Sequence, residues 1–168
     1  MLHLVDELMN SDKRLFGILE DDVLLHVNFT SLWNTIQSTP RCSSFLQSRG
    51  GGVLLLGASE WTRDAWDVLK RSPHEKICYN AFQRSSGTFA YIVSRPVLPF
   101  IKRWIMSSSR PLDHMYEYLM QQGIPVRVAN PNLMIADIEK TSDVDSKRTL
   151  LTYQQRYYRM RWDRTLYA

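Results

Sequence analysis

Residues 16–29 read FGILEDDVLLHVNF. An apolar run ends in three consecutive carboxylates, Glu20, Asp21 and Asp22, and the chain then turns apolar again. A short apolar run bounded by charge reads as a strand buried on both faces, as in a parallel sheet covered by helices. Three like charges at the end of such a strand repel one another, so a cation is expected to compensate them, either a divalent metal or an Arg or Lys. Ligands of α/β sheets bind beyond the carboxyl ends of the strands. The triplet is therefore a candidate site, and its strand sets the fold class.

The rest of the chain alternates in the same way. LHLVDELMN places Leu2, Val5, Leu8 and Met9 on one helical face ahead of the acidic strand. NFTSLWNTIQ follows as a helix with Phe29, Leu32, Trp33 and Ile36 inward, and RGGG breaks the chain. VLLLGAS is a second apolar strand and GTFAYIVS a third. RPVLPFIKRWIM is a helix with proline in its first turn, and SRPLDHMYEYLMQQG is another, with Pro111 near its start and Gly123 at its end. PVRVAN is a short strand and DIEKTSDVDSK a polar loop. The expected architecture is α/β, a mostly parallel sheet flanked by helices.

With 168 residues, an apolar fraction of 44% and a charged fraction of 23%, the composition is that of one globular domain. No apolar run approaches the roughly 18–20 residues of a membrane helix, and no secretory leader is evident at the start. The net charge of +4 is uneven. From Lys147 onward, six basic residues (Lys147, Arg148, Arg156, Arg159, Arg161, Arg164) face one acid, Asp163, so the basicity belongs to the tail. YQQRYYRMRW interleaves arginine with aromatics. That pattern suits nucleic acid or an anionic membrane, or equally aromatics packed on the domain with the arginines solvated, which is the reading preferred here. No nucleic-acid partner is expected. Two cysteines, Cys42 and Cys78, read as reduced or buried thiols rather than a disulfide framework, with one bridge as the alternative. One N-glycosylation sequon, Asn28-Phe29-Thr30, sits beside the acids.

Three constellations could carry chemistry. Along an extended backbone Glu20 and Asp22 would point one way and Asp21 the other. Two carboxylates on one side suit Mg²⁺ or Mn²⁺ held jointly with a diphosphate; otherwise the acids are solvated or paired with arginine. In SRPLDHMYEYL, Asp113 falls in a first helical turn, where the dipole favours a carboxylate. It is either a helix-end charge or a general base that accepts a proton from an attacking hydroxyl. In SSGTFAYIVS, Gly87 allows close backbone approach, and Ser86 and Thr88 offer hydroxyls. Trp61 and Trp66 could stack on a sugar or base, or simply pack.

The order of ILEDDV, VLLLGAS, GTFAYIVSR, PLDHMYEYL and TSDVD resembles glycosyltransferase family 25, the lipopolysaccharide and procollagen galactosyltransferase group, across residues 2–146. The resemblance implies a GT-A-like (Rossmann-like) domain over 1–146, followed by a basic aromatic tail over 147–168. It begins at the helix before the acidic strand, so it implies a chain lacking the family's N-terminal nucleotide-binding units and an uncovered sheet edge open to self-association or a partner chain. The implied activity is a metal-dependent, inverting transfer of a hexose, galactose or glucose, from a nucleotide sugar to a hydroxyl of a glycan, lipopolysaccharide or protein. The implied cofactor is Mn²⁺ (or Mg²⁺), and the implied donor is a UDP-sugar. Carried over, EDD is the Asp-x-Asp-like motif, with Glu20 and Asp22 as metal ligands and Asp21 in support. Asp113 is the base; Gly87, Thr88 and Tyr91 line a sugar pocket; Ser142 and Asp143 match a Ser-Asp pair of less certain role. The alternative is an inactive, glycosyltransferase-like binding module or partner subunit. Family relatives occupy bacterial cytoplasm and the endoplasmic reticulum lumen.

Overall fold

The structure is a computed structural model that describes residues 1–60, 77–81, 85–138 and 162–168. Nine strands are present among them: β1 (Leu15–Leu19), β2 (Val23–Leu25), β3 (Val53–Leu55), β4 (Ser59–Glu60), β5 (Cys78–Asn80), β6 (Ser85–Ser86), β7 (Ala90–Ser94), β8 (Val126–Ala129) and β9 (Met134–Ala136). The helices are α1 (Leu2–Asn10), α2 (Phe29–Ser38), α3 (Pro40–Gln47), α4 (Leu98–Ser107) and α5 (Met115–Gln121). The central sheet has the order β1-β7-β3-β8-β5, and two small sheets pair β2 with β9 and β4 with β6.

β3, β7 and β8 are buried on both faces, and the period-two alternation separates two cores. β1, expected to be covered in the same way, is not: Leu15, Gly17 and Leu19 are exposed and only Phe16 is buried, because β1 lies at the edge of the sheet. Val53 and Leu55 of β3, Tyr91 and Val93 of β7, and Val126 and Val128 of β8 pack with Val5, Ile101, Trp104, Met115 and Leu119 from α1, α4 and α5. Leu54, Ala90 and Ala129 face the other way, onto Ile36, Phe45 and Leu46 of α2 and α3, the β9 residues Met134 and Ile135, and Trp162 and Tyr167. The domain is thus a three-layer α/β arrangement with the sheet in the middle.

The expected mostly parallel sheet is not what forms. Only β3 and β8 pair parallel, while β1–β7, β3–β7 and β5–β8 are antiparallel. An apolar run reports burial on two faces and carries no record of direction, which is why composition misjudged the pairing. Because β1 and β3 each oppose β7, and β8 follows β3, the strands β1, β3 and β8 still run the same way. Their carboxyl ends gather at one edge of the domain, joined there by the amino end of the reversed β7.

β1 is the outermost strand on its side. Arg95 N–H donates to the Arg14 carbonyl and Glu20 N–H to the Phe89 carbonyl, so alternate residues bond to β7. Leu15, Gly17 and Leu19 turn their backbone groups to the open edge, where no described strand pairs with them. At the other end of the chain, residues 166–168 dock on β2. Leu25 and Ala168 exchange both backbone hydrogen bonds, Val27 N–H donates to Leu166, and His26 stacks edge-on against Tyr167. Trp162, the one described residue of YQQRYYRMRW, is buried, as is Tyr167; the rest of that stretch lies outside the described residues.

Cys42 of α3 and Cys78 of β5 form a disulfide across 36 positions of sequence. This corrects the expectation of reduced thiols. Their separation in sequence hid a pairing that the sheet creates by laying β5 beside the end of α3.

Candidate functional site

Glu20 directly follows β1 and still donates its N–H to the Phe89 carbonyl, and Asp21 and Asp22 form the turn into β2. The alternation expected of an extended EDD therefore stops at Glu20. The Glu20 carboxylate accepts a 2.9 Å hydrogen bond from the Thr88 hydroxyl. Asp21 is exposed at the turn. Asp22 is fixed by its backbone, whose carbonyl accepts from Asp137 N–H at 2.7 Å where β9 ends. Its Oδ1 is buried with no hydrogen-bond partner among the described residues.

Gly87 precedes β7 with φ +114°, a conformation L side chains rarely adopt, and a Cβ there would sit 2.3 Å from the Phe89 ring. The glycine is demanded by the chain's own turn. That turn presents Thr88 to Glu20 and turns the Gly87 carbonyl to the Tyr116 hydroxyl, which donates to it at 3.3 Å. Tyr91, offered from sequence as a pocket-lining residue, is 1% exposed in the core between sheet and helices. Its ring meets that of Tyr116 edge-on at 6.0 Å between centroids.

Asp113 lies in a 3₁₀ turn, Leu112–His114, that leads into α5, rather than in α5 itself. Its Oδ1 is buried and unpartnered, as is the Tyr91 hydroxyl. Next to it Arg110 contacts both His114 Nδ1 (2.7 Å) and Glu117 (3.1 Å), so the nearby guanidinium is spoken for by other groups.

The electrostatics tie these residues together. Burial, and then the charge of Glu20, pushes Tyr91 up to about 12. Tyr116 is also raised well above its ordinary value, by burial first, then by Tyr91, Glu20 and Asp113. Both acids thus act on one buried phenol, although Glu20 comes from β1 and Asp113 from the approach to α5. Gly87 and Tyr91 contact Tyr116, the charges of Glu20 and Asp113 act on it, and Thr88 bonds to Glu20. Sequence reasoning passed over Tyr116 although it lies in the quoted PLDHMYEYL, since a tyrosine among helical apolar residues carries no separate signal. Asp137 was passed over too, as the start of a polar loop.

Three buried polar atoms at this edge lack partners: Asp22 Oδ1, Asp113 Oδ1 and the Tyr91 hydroxyl. Buried polar atoms are seldom left so, and groups that are mark places where a ligand, ion or water is received. Among the described residues no three His, Cys, Asp or Glu side chains stand together as a metal-binding group. A divalent ion here would draw on one or two carboxylates, with the remaining positions going to substrate phosphate oxygens and water, the usual habit of Mg²⁺ and Mn²⁺.

The other end of β1 is different in character. A cavity of about 270 Å³ is lined there by Leu15, Phe16, Trp33, Leu46 and Ile92 among others. Among the described residues no titratable side chain borders it, and it lies away from the acidic edge. Trp61, Trp66, Ser142 and Asp143 lie outside the described residues, and among the described residues no helix is long and apolar enough to cross a membrane.

A scan against protein-family models finds no match, and neither the search of curated proteins nor that of solved structures returns one.

Proposed function

We propose that this chain is a metal-dependent, inverting glycosyltransferase domain that moves a hexose from a nucleotide sugar, UDP-linked, to an acceptor hydroxyl. The observation that carries the reading is at the carboxyl ends of the co-directional strands: Glu20 from the end of β1 and Asp113 from the approach to α5 both act on Tyr116, and Asp22, in the turn after Glu20, and Asp113 each have a buried carboxylate oxygen without a partner among the described residues. The ordered motif resemblance to glycosyltransferase family 25 supports it.

In this reading Glu20 and Asp22 would hold Mn²⁺ or Mg²⁺, with Asp21 at the exposed turn beside them. The ion supplies Lewis acidity toward the leaving diphosphate. Asp113 accepts the proton of the acceptor hydroxyl as its oxygen bonds to the anomeric carbon and the bond to the diphosphate breaks on the opposite face. Thr88 fixes the rotamer of Glu20. Tyr91 and Tyr116 stay neutral and form the dry wall behind the acids.

The second reading is an inactive binding module or partner subunit of glycosyltransferase type. Calorimetric titration of UDP, with Mn²⁺ and then with EDTA, separates the two. Metal-dependent binding supports the enzyme. Absence of binding to UDP, GDP and CMP alike favours the module.

A further inference from the structure

The sequon Asn28-Phe29-Thr30 straddles the start of α2, and the fold treats its three side chains differently. Phe29 is half-buried and packs on the core between the sheet and α2. Asn28 and Thr30, the two that a glycan-transferring enzyme reads, are exposed. Asn28 is the N-cap residue of α2, a position where an asparagine usually bonds its side chain to the first turn, yet here it makes no capping hydrogen bond. The turn is held by other groups: Asn28 N–H donates to His26 Nδ1 at 3.0 Å, and the Asn28 carbonyl accepts from Leu32. The side-chain amide is left to solvent, so the fold does not need it.

A second feature, far from that turn, points to the same chemistry. Cys42 and Cys78 are each 1% exposed and joined as a disulfide. Such bridges form in oxidising compartments, where secreted and lumenal chains fold. In eukaryotes that is also where asparagine sequons are glycosylated.

We propose that Asn28 is a site of N-linked glycosylation, filled as the chain enters an oxidising secretory compartment. The co-reactant is an oligosaccharide carried on a lipid diphosphate. The Asn28 amide nitrogen bonds to the anomeric carbon, the bond from that carbon to the diphosphate breaks, the amide loses one proton and the lipid diphosphate leaves. The modification is independent of the proposed catalytic reading. Asn28 lies beyond the end of β2 away from Asp22, and its amide takes part in no contact of the acidic edge.

The test is to express the full chain behind a cleavable secretory leader in eukaryotic cells and recover it from cells and medium together. Intact mass is measured before and after peptide N-glycosidase. The expected result is a mass excess of one oligosaccharide, removed by the enzyme with conversion of the Asn28 amide to a carboxylate. Asn28→Gln and Thr30→Ala should each abolish the excess, and Thr30→Ser should retain it. A wild-type chain at its unmodified mass overturns the proposal. So does an excess that survives Asn28→Gln, and so does alkylation of both cysteines in the unreduced protein, which removes the oxidising history the inference rests on.

Discussion

The Thr88 hydroxyl donates to Glu20 Oε1 at 2.9 Å, joining the turn before β7 to the end of β1 across 68 positions of sequence. The bond occupies one lone pair of the carboxylate and leaves the others available, so it orients Glu20 without consuming it. Thr88→Val should lower Mn²⁺-dependent UDP affinity severalfold while costing no more than about 1 kcal/mol of stability. Thr88→Ser should restore affinity. Titration calorimetry and thermal melts on the three proteins check both statements, and a large loss of stability with unchanged affinity would make the contact purely architectural.

Asp22 has a buried carboxylate oxygen with no partner. An unsatisfied buried acceptor costs about 1–3 kcal/mol, so Asp22→Ala should leave the domain as stable as before or more so. The same change should abolish metal-dependent nucleotide binding. Survival of that binding, measured with Mn²⁺ and with EDTA, would remove Asp22 from the metal site.

Asp113→Asn keeps the shape of the side chain and removes its basicity. Donor binding should be spared, and turnover should fall about 10²- to 10⁴-fold, the range of general-base contributions. Steady-state kinetics beside direct binding distinguishes this from a donor-contacting role, in which affinity and turnover would fall together.

Tyr91 and Tyr167 are raised from the usual 10.0 to about 12, mainly by burial, and Tyr116 is raised as well, also mainly by burial. A folded-state pKa above the unfolded value means that the unfolded chain loses its protons first. The contribution of these phenols is therefore complete below about pH 10 and is lost as the pH rises through about 12, at about 1.4 kcal/mol per pH unit for each group. Denaturant unfolding at a series of alkaline pH values should show midpoints falling from near pH 10 upward. A flat profile would mean that solvent reaches the phenols in the folded state.

The Cys42–Cys78 bridge closes a loop of 36 positions. Chain-entropy arguments assign such a crosslink roughly 3–4 kcal/mol. Replacing both cysteines with alanine should lower the denaturant midpoint accordingly without changing UDP binding, because the bridge lies on the α3 face, away from Asp113 and Tyr116. Loss of binding in a still-folded double variant would show that the two faces are coupled.

Much of this architecture is legible in the residues. The amphipathic spacing of Leu2, Val5 and Leu8 gives α1, and RPVLPF announces the helix that becomes α4. The strands FGIL, VLLL, AYIV and VRVA are evident from their apolar runs. Direction was not legible, because Ala90–Ser94 reads the same whichever way it runs between its neighbours. The short pairings β2–β9 and β4–β6 were missed because segments of two or three residues carry no period. α3 went unread because PRCSSFLQ is polar overall and shows its apolar face only through Cys42, Phe45 and Leu46. At the candidate site, Glu20 is legible from residue type and its place at a strand end, Asp113 from its place at a helix start, and Thr88 only through the family resemblance. Tyr116 and Asp137 become visible only when the sheet brings distant segments together. The two cysteines show the same limit, since the bridge depends on where β5 lies.

The placement of β1 has a consequence for how the domain is made. In the described sheet its ladder runs only to Ala90–Ser94, so nothing near it in sequence can hold it in register. Closing so long a loop costs entropy before any contact repays it. The acidic turn should therefore acquire its shape late, after the Val53–Leu55 and Val126–Ala129 pair has given Ala90–Ser94 a surface to settle on. During synthesis, the carboxylates near the beginning of the chain wait for residues beyond Asp113 before they belong to any site. A nascent or C-terminally truncated chain would present Glu20, Asp21 and Asp22 as an unstructured acidic patch.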